Sequence, residues 1–74
     1  MRFVVLAFGA ALPAGLTLAS VDTATSVQDR TLRDGTFDGP ASALTGIRVL
    51  DAPDLDAVLD TLPGAGTFEV RPVT

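Results

Sequence analysis

The chain has 74 residues with no cysteine, histidine, tryptophan or tyrosine, and five basic residues, all arginine, against nine acidic ones. That is room for one domain, and so small a domain buries only about 60% of its unfolded surface; disulfides and a Cys/His zinc site are excluded as aids, which leaves association with a second copy. The same composition excludes Ser-His, Cys-His and His-metal chemistry, and scattered arginines in a chain of net charge -4 do not make the basic stripe that direct nucleic-acid binding requires.

Residues Phe3 to Val21 carry no charge, with Arg2 before them and Asp22 after. A run of this kind approaches the length that crosses a bilayer, and it has the basic start and small-residue end of a secretory signal. One alternative therefore makes the chain an exported or membrane-anchored small protein with residues 1–20 as signal peptide or span. Gly9, Pro13, Gly15 and Thr17 divide the run, however. Phe3–Phe8 is β-branched and aromatic and reads as a buried strand, and Leu16–Ser20 partly alternates and reads as a second. Ala10–Ala14 is the loop between them. On this reading the run belongs to a folded domain and the protein is cytoplasmic, with no membrane contact.

Residues 22–26 are a polar connection. Ser26–Gln28 and Thr31–Arg33 are the arms of a short hairpin turning at Asp29-Arg30, although Arg30 is not a residue favoured where φ is positive. Asp34-Gly35 and Asp38-Gly39-Pro40 signal turns, so 34–43 reads as loop. Thr45–Leu50 is a strand with Ile47 and Val49 on one side and Arg48 and Leu50 on the other. Leu55, Val58, Leu59 and Leu62 then fall at i, i+3, i+4 and i+7, one face of a helix. Asp51 or Ala52 stands at its cap, Pro53 in its first turn, and Pro63-Gly64 ends it. Thr67–Arg71 closes the chain as a strand with Phe68 and Val70 inward and Glu69 and Arg71 outward. One helix covers one face of an antiparallel sheet, leaving the other face bare, and a bare apolar face on a small sheet calls for a partner.

From Ala24 to Val73 the sequence resembles the YCII-related, or DGPF, family. Ala24-Thr25-Ser26-Val27 is similar to that family's ATTV segment, and Asp34-Gly35-Thr36-Phe37 falls at the DGPF motif with threonine in place of proline. Leu44-Thr45-Gly46 and Val49–Asp56 match its LGG and DAPDLDEA region, and Phe68–Val73 its VEVRPV ending. Met1–Leu6 is similar to its first strand. The resemblance implies a single domain, 1–74, of α+β class: a ferredoxin-like antiparallel sheet of the dimeric α/β-barrel type with one helix, the helix between the first two strands being deleted. It implies a homodimer and a small-molecule-binding or regulatory module without demonstrated catalysis; some relatives are associated with sigma factors. The His–Asp pair suggested as catalytic in broader relatives has no histidine here to fill it.

Asp34 is the leading candidate for a functional carboxylate, and a buried one would serve as a general base. The competing reading is a turn residue ahead of Gly35, which supplies a positive φ. Phe37 lines a ligand pocket or packs in the core. Asp34, Gly35 and Phe37 together form the candidate ligand-binding loop. No catalytic residue, metal site or cofactor is assigned: Asp51, Asp54, Asp56 and Asp60 lie along a helix start and lack the spacing of a calcium loop.

Overall fold

The computed structural model describes residues 1–36 and 39–74. The uncharged N-terminal run forms β1 (Arg2–Phe8), which lies between β5 (Leu44–Asp51) and β6 (Phe68–Pro72); β2 (Leu16–Thr17) flanks the far side of β5. The order is β2-β5-β1-β6, with every pairing antiparallel. A strand paired on both sides has no edge to solvate, which suits a segment without charged side chains between Phe3 and Phe8. The remaining strands, β3 (Thr25–Gln28) and β4 (Thr31–Asp34), form a separate two-stranded sheet. The chain is thus mostly antiparallel sheet with one short helix, α1 (Leu55–Leu59), an α+β arrangement.

Alternation along β1 separates two faces. Phe3, Val5 and Ala7 are 3%, 0% and 0% exposed, whereas Val4, Leu6 and Phe8 are half-buried. Opposite the buried three stand Leu50, Arg48 and Gly46 on β5, and Pro72, Val70 and Phe68 on β6. Val58 of α1, fully buried, joins Phe3 and Val5 in the core, with Leu12, Leu50, Ala52, Leu62, Phe68 and Val70 around them. The opposite face carries Val4 and Leu6, Ile47 and Val49, and Leu16, with Glu69 and Arg71 on its β6 flank. Both sequence-based divisions hold: Ile47/Val49 against Arg48/Leu50, and Phe68/Val70 against Glu69/Arg71.

The helix differs from expectation at both ends. Its cap is Asp54, in extended conformation, whose carboxylate accepts the Ala57 N–H at 2.9 Å. Neither Asp51 nor Ala52 caps it, and Pro53 precedes the cap instead of occupying the first turn. It ends at Leu59, after which Thr61 N–H and Leu62 N–H bond back to the Val58 and Leu59 carbonyls in a tightened turn. So short a helix presents little more than one turn to the sheet. Val58 and Leu62 reach the core, and Leu55 and Leu59 stay about half exposed.

The β1–β2 connection explains how the sheet closes without a second helix. Both strands run antiparallel to β5 and therefore parallel to each other, a relation that ordinarily needs a crossover of a dozen or more residues. Residues Gly9–Gly15 suffice because β2 covers only Ile47 and Gly46, the positions that pair with Leu6 and Ala7 at the exit of β1. Leu12 of this loop joins the core edge over Gly46, where an added Cβ would stand 3.6 Å from that of Leu12. The Thr45 hydroxyl pins the corner: it accepts the Gly9 N–H at 3.0 Å and donates to the Ala7 carbonyl at 3.2 Å, beside the register shift between Ala7 and Phe8. The expected strand Leu16–Ser20 shrinks to two residues. Leu18 N–H still reaches the Thr45 carbonyl, and then Ser20, accepting from Asp22 N–H, turns the chain into a 3-10 segment, Val21–Thr23. A second 3-10 segment, Pro40–Ala43, lies in the stretch read as loop.

The β3–β4 hairpin turns where the sequence suggested, at Asp29 (φ 51) and Arg30 (φ 67). Positive φ at both central residues is the type I′ geometry that matches strand twist. Arg30 adopts it against the steric preference of its Cβ. Arg30→Gly is therefore expected to raise stability by about 0.5–1 kcal/mol, read as a higher urea midpoint with unchanged slope. Val58→Ala is expected to lower stability by about 2 kcal/mol through lost burial and the cavity left; a loss under about 0.5 kcal/mol would remove Val58 from the centre of the core.

Candidate functional site

The motif-bearing corner lies where β4 ends. Asp34 is the last residue of that strand, opposite Thr25, and its side chain is exposed. The buried carboxylate that a general base requires is not the arrangement found: Asp34 stands in solvent at a strand end. Gly35 follows at φ +94, the conformation expected of it, with open space where a Cβ would stand, so the constraint at this position is backbone conformation. Phe37 lies outside the described residues, as does Asp38 of the second turn signal.

What holds the corner is Ser26. Its hydroxyl donates to the Gly35 carbonyl at 2.6 Å, while Gly35 N–H donates to the Ala24 carbonyl at 2.8 Å. Ser26 is 6% exposed, the one buried polar side chain among the described residues. Sequence reasoning placed it as an ordinary hairpin residue. Its role depends on the β3–β4 register, which sets Ser26 opposite Arg33 and so within reach of the residues after Asp34. A single serine between Thr25 and Val27 carries no local sign of this.

Two hollows flank the corner. One, of ≈350 Å³, lies on the polar face of the hairpin and is lined by Ser26, Gln28, Asp29, Thr31 and Arg33. Cross-strand pairing of Ser26 with Arg33 and of Gln28 with Thr31 puts those four side chains on one surface. It offers neutral hydrogen-bonding groups, one guanidinium and one carboxylate. The other, of ≈300 Å³, sits at the hairpin base between Leu18, Val21, Ala24 and Leu44, with Ser20, Thr23 and Thr36 as its hydroxyl-bearing walls. Of the proposed loop, Asp34 and Gly35 line neither hollow, and Thr36 lines the second.

The acidic residues around α1 are employed singly. Asp54 caps the helix, and Asp51 meets Arg2 at 3.4 Å on the exposed surface. Among the described residues no three carboxylates converge on a position for a cation. Glu69 and Arg71 pair along β6 at 2.7 Å rather than across the sheet. Both ion pairs are largely exposed and contribute little to stability.

Comparison with known proteins leaves the assignment to these residues: no protein-family model matches the chain, and neither the curated proteins nor the solved structures contain a match.

Ser26→Ala would leave the Gly35 carbonyl without its hydroxyl donor. It is expected to destabilise the protein by about 1–2 kcal/mol, whereas Asp34→Asn, at an exposed strand end, is expected to change stability by less than about 0.5 kcal/mol. Urea unfolding of the two variants checks both, and a neutral Ser26→Ala would mean that the corner is held by other groups.

Proposed function

We propose that this chain is a reduced YCII-related (DGPF-like) module: a ferredoxin-like sheet that works as a homodimer and binds a small molecule beside the Asp34–Gly35 loop, without catalysis. The observation that carries the reading is the strand order. With the hairpin set aside, the strands of the main sheet run second, third, first, fourth, and α1 joins the third to the fourth across the first. This order supports the reading, since ferredoxin-like sheets have the same split β-α-β order, with the loop Gly9–Gly15 where their other helix stands.

The bare face supports the dimer. Leu16 and Val49 are 71% and 57% exposed there, beside Val4, Leu6 and Ile47, and a core centred on Phe3, Val5 and Val58 leaves stability short for an unpartnered chain. The polar rim of this face, Arg2–Asp51 and Glu69–Arg71, carries both signs of charge and suits an isologous contact. The apolar hollow at the hairpin base, with Thr36 on its wall, is the better place for a small ligand, because apolar walls with a few hydroxyls match the usual character of such sites.

The position of β1 favours this reading over export. Arg2–Phe8 is the central strand, and removing residues 1–20 would take the middle out of the sheet. Among the described residues, no helix is long and apolar enough to cross a membrane. A cytoplasmic location accords with this reading.

Sedimentation velocity at micromolar concentration is expected to give twice the 7.6 kDa chain mass. Leu6→Gln, on the open side of the central strand, is expected to give a folded monomer with the same circular dichroism spectrum. A stable monomer of the unaltered chain would overturn the dimer.

A further inference from the structure

The β3–β4 hairpin forms its own sheet, and its two sides differ in chemistry. Val27 and Leu32 pair on one side; Ser26, Gln28, Thr31 and Arg33 share the other. The hollow of ≈350 Å³ on that polar side is bounded at the turn by Asp29. The register sets the order of its walls. Ser26 and Arg33 form the inner row, Gln28 and Thr31 the middle row, and Asp29 the outer end. Successive rows on one side of a strand lie about 7 Å apart.

Two features separate this hollow from an ordinary polar surface. Its opposite charges are not spent on each other. The ion pairs among the described residues are Arg2–Asp51 and Glu69–Arg71, so the Arg33 guanidinium and the Asp29 carboxylate line one hollow without meeting. The Gln28–Thr31 row stands between them. The second feature is a buried floor. Ser26 is the one buried polar side chain among the described residues, and its hydroxyl proton goes to the Gly35 carbonyl. A hydroxyl oxygen that has given its proton keeps two acceptor lone pairs. Beside the guanidinium, therefore, the floor accepts an N–H.

We infer that this hollow binds a zwitterion of dipeptide size. The ligand carboxylate lies on Arg33, its peptide N–H donates to Ser26, its peptide carbonyl accepts from the middle row, and its ammonium meets Asp29. A guanidinium takes a carboxylate through two parallel N–H bonds, which fixes the direction of the ligand. In a dipeptide the peptide N–H lies one carbon from the carboxylate, as Ser26 lies beside Arg33. An extended dipeptide spans at most about 7 Å, the spacing of the rows. A simple anion or cation would leave one charge of the hollow unmet. The walls all belong to the hairpin, so the inference depends neither on the apolar hollow at its base nor on a second copy at the bare face.

The probe is glycylglycine, followed by its effect on the amide resonances of the whole chain. Saturable shifts are expected at Ser26, Gln28, Asp29, Thr31 and Arg33, with a Kd of about 1–10 mM that weakens as salt is added. Acetyl-glycylglycine lacks the ammonium and glycylglycinamide lacks the carboxylate; each is expected to bind about threefold to fivefold more weakly. For glycylglycinamide that loss runs against the general attraction of a cation to a chain of net charge -4. Glycylsarcosine, methylated at the peptide nitrogen, is expected to bind more weakly by a similar factor. Asp29→Asn, a residue that also tolerates positive φ, is expected to erase the preference for glycylglycine over its acetyl form and to keep the preference over the amide. Arg33→Gln is expected to do the reverse. An unchanged circular dichroism spectrum confirms that both exposed substitutions leave the fold intact. Equal binding of glycylglycine and any of the three altered peptides would overturn the proposal. So would preferences that survive both substitutions, shifts centred on Thr23 and Thr36 at the hairpin base, or the absence of saturable shifts in the unaltered chain.

Discussion

The packing of Val58 against the buried side of β1 is the contact on which the rest of the molecule depends. Among the described residues, Phe3, Val5 and Val58 are the large side chains removed from water, and the partly buried apolar groups pack around them. With so little buried surface, stability rests on keeping that triad in register. This accounts for how many bonds converge on β1: the Thr45 hydroxyl at its exit, and at its entry the Met1 and Arg2 carbonyls, which accept from Ala52 and Val73. The strand is thus fixed at both ends as well as along its middle, where Val58 covers Val5 and β5 and β6 pair on either side.

Much of this was legible in the residues. The uncharged run Phe3–Phe8 reads as a buried strand because nothing in it tolerates an edge, and the alternation of Ile47, Arg48, Val49 and Leu50 assigns the faces of β5 correctly. The helix boundaries were not legible: the sequence suggested Asp51 or Ala52 as the cap, whereas Asp54 takes the role through its reach to Ala57. The periodic leucines overstated the buried face, because a period specifies direction without saying how wide a surface lies opposite. At the candidate site, Asp-Gly announced the turn and the positive φ of Gly35. Ser26 stayed hidden because its bond to Gly35 exists only once the strands are paired, nine positions apart in sequence.

The unusual surfaces of the protein share one origin. A connection as short as Gly9–Gly15 can return to the sheet only near the point it left, so β2 is confined to two residues beside the exit of β1. From that follow the free edge of β5, the use of Leu12 in place of a covering helix, and the departure of the chain into the hairpin. Gly46 belongs to the same set: a Cβ there would lie 3.2 Å from the Leu16 carbonyl, so β2 would have to give by a few tenths of an ångström to admit a side chain.

The register of β1 also governs when the protein can form. Its partners are β5 and β6, which begin at Leu44 and Phe68, so this segment pairs with segments synthesised well after it. Contacts of such separation are slow to form because loop-closure entropy is paid before they return anything. The β3–β4 hairpin, whose arms are adjacent in sequence, can form early, but Phe3, Val5 and Ala7 must wait exposed until Val70 is available. The order of synthesis and the order of assembly therefore run against each other in this chain, and its most apolar segment spends the longest time without a place to go.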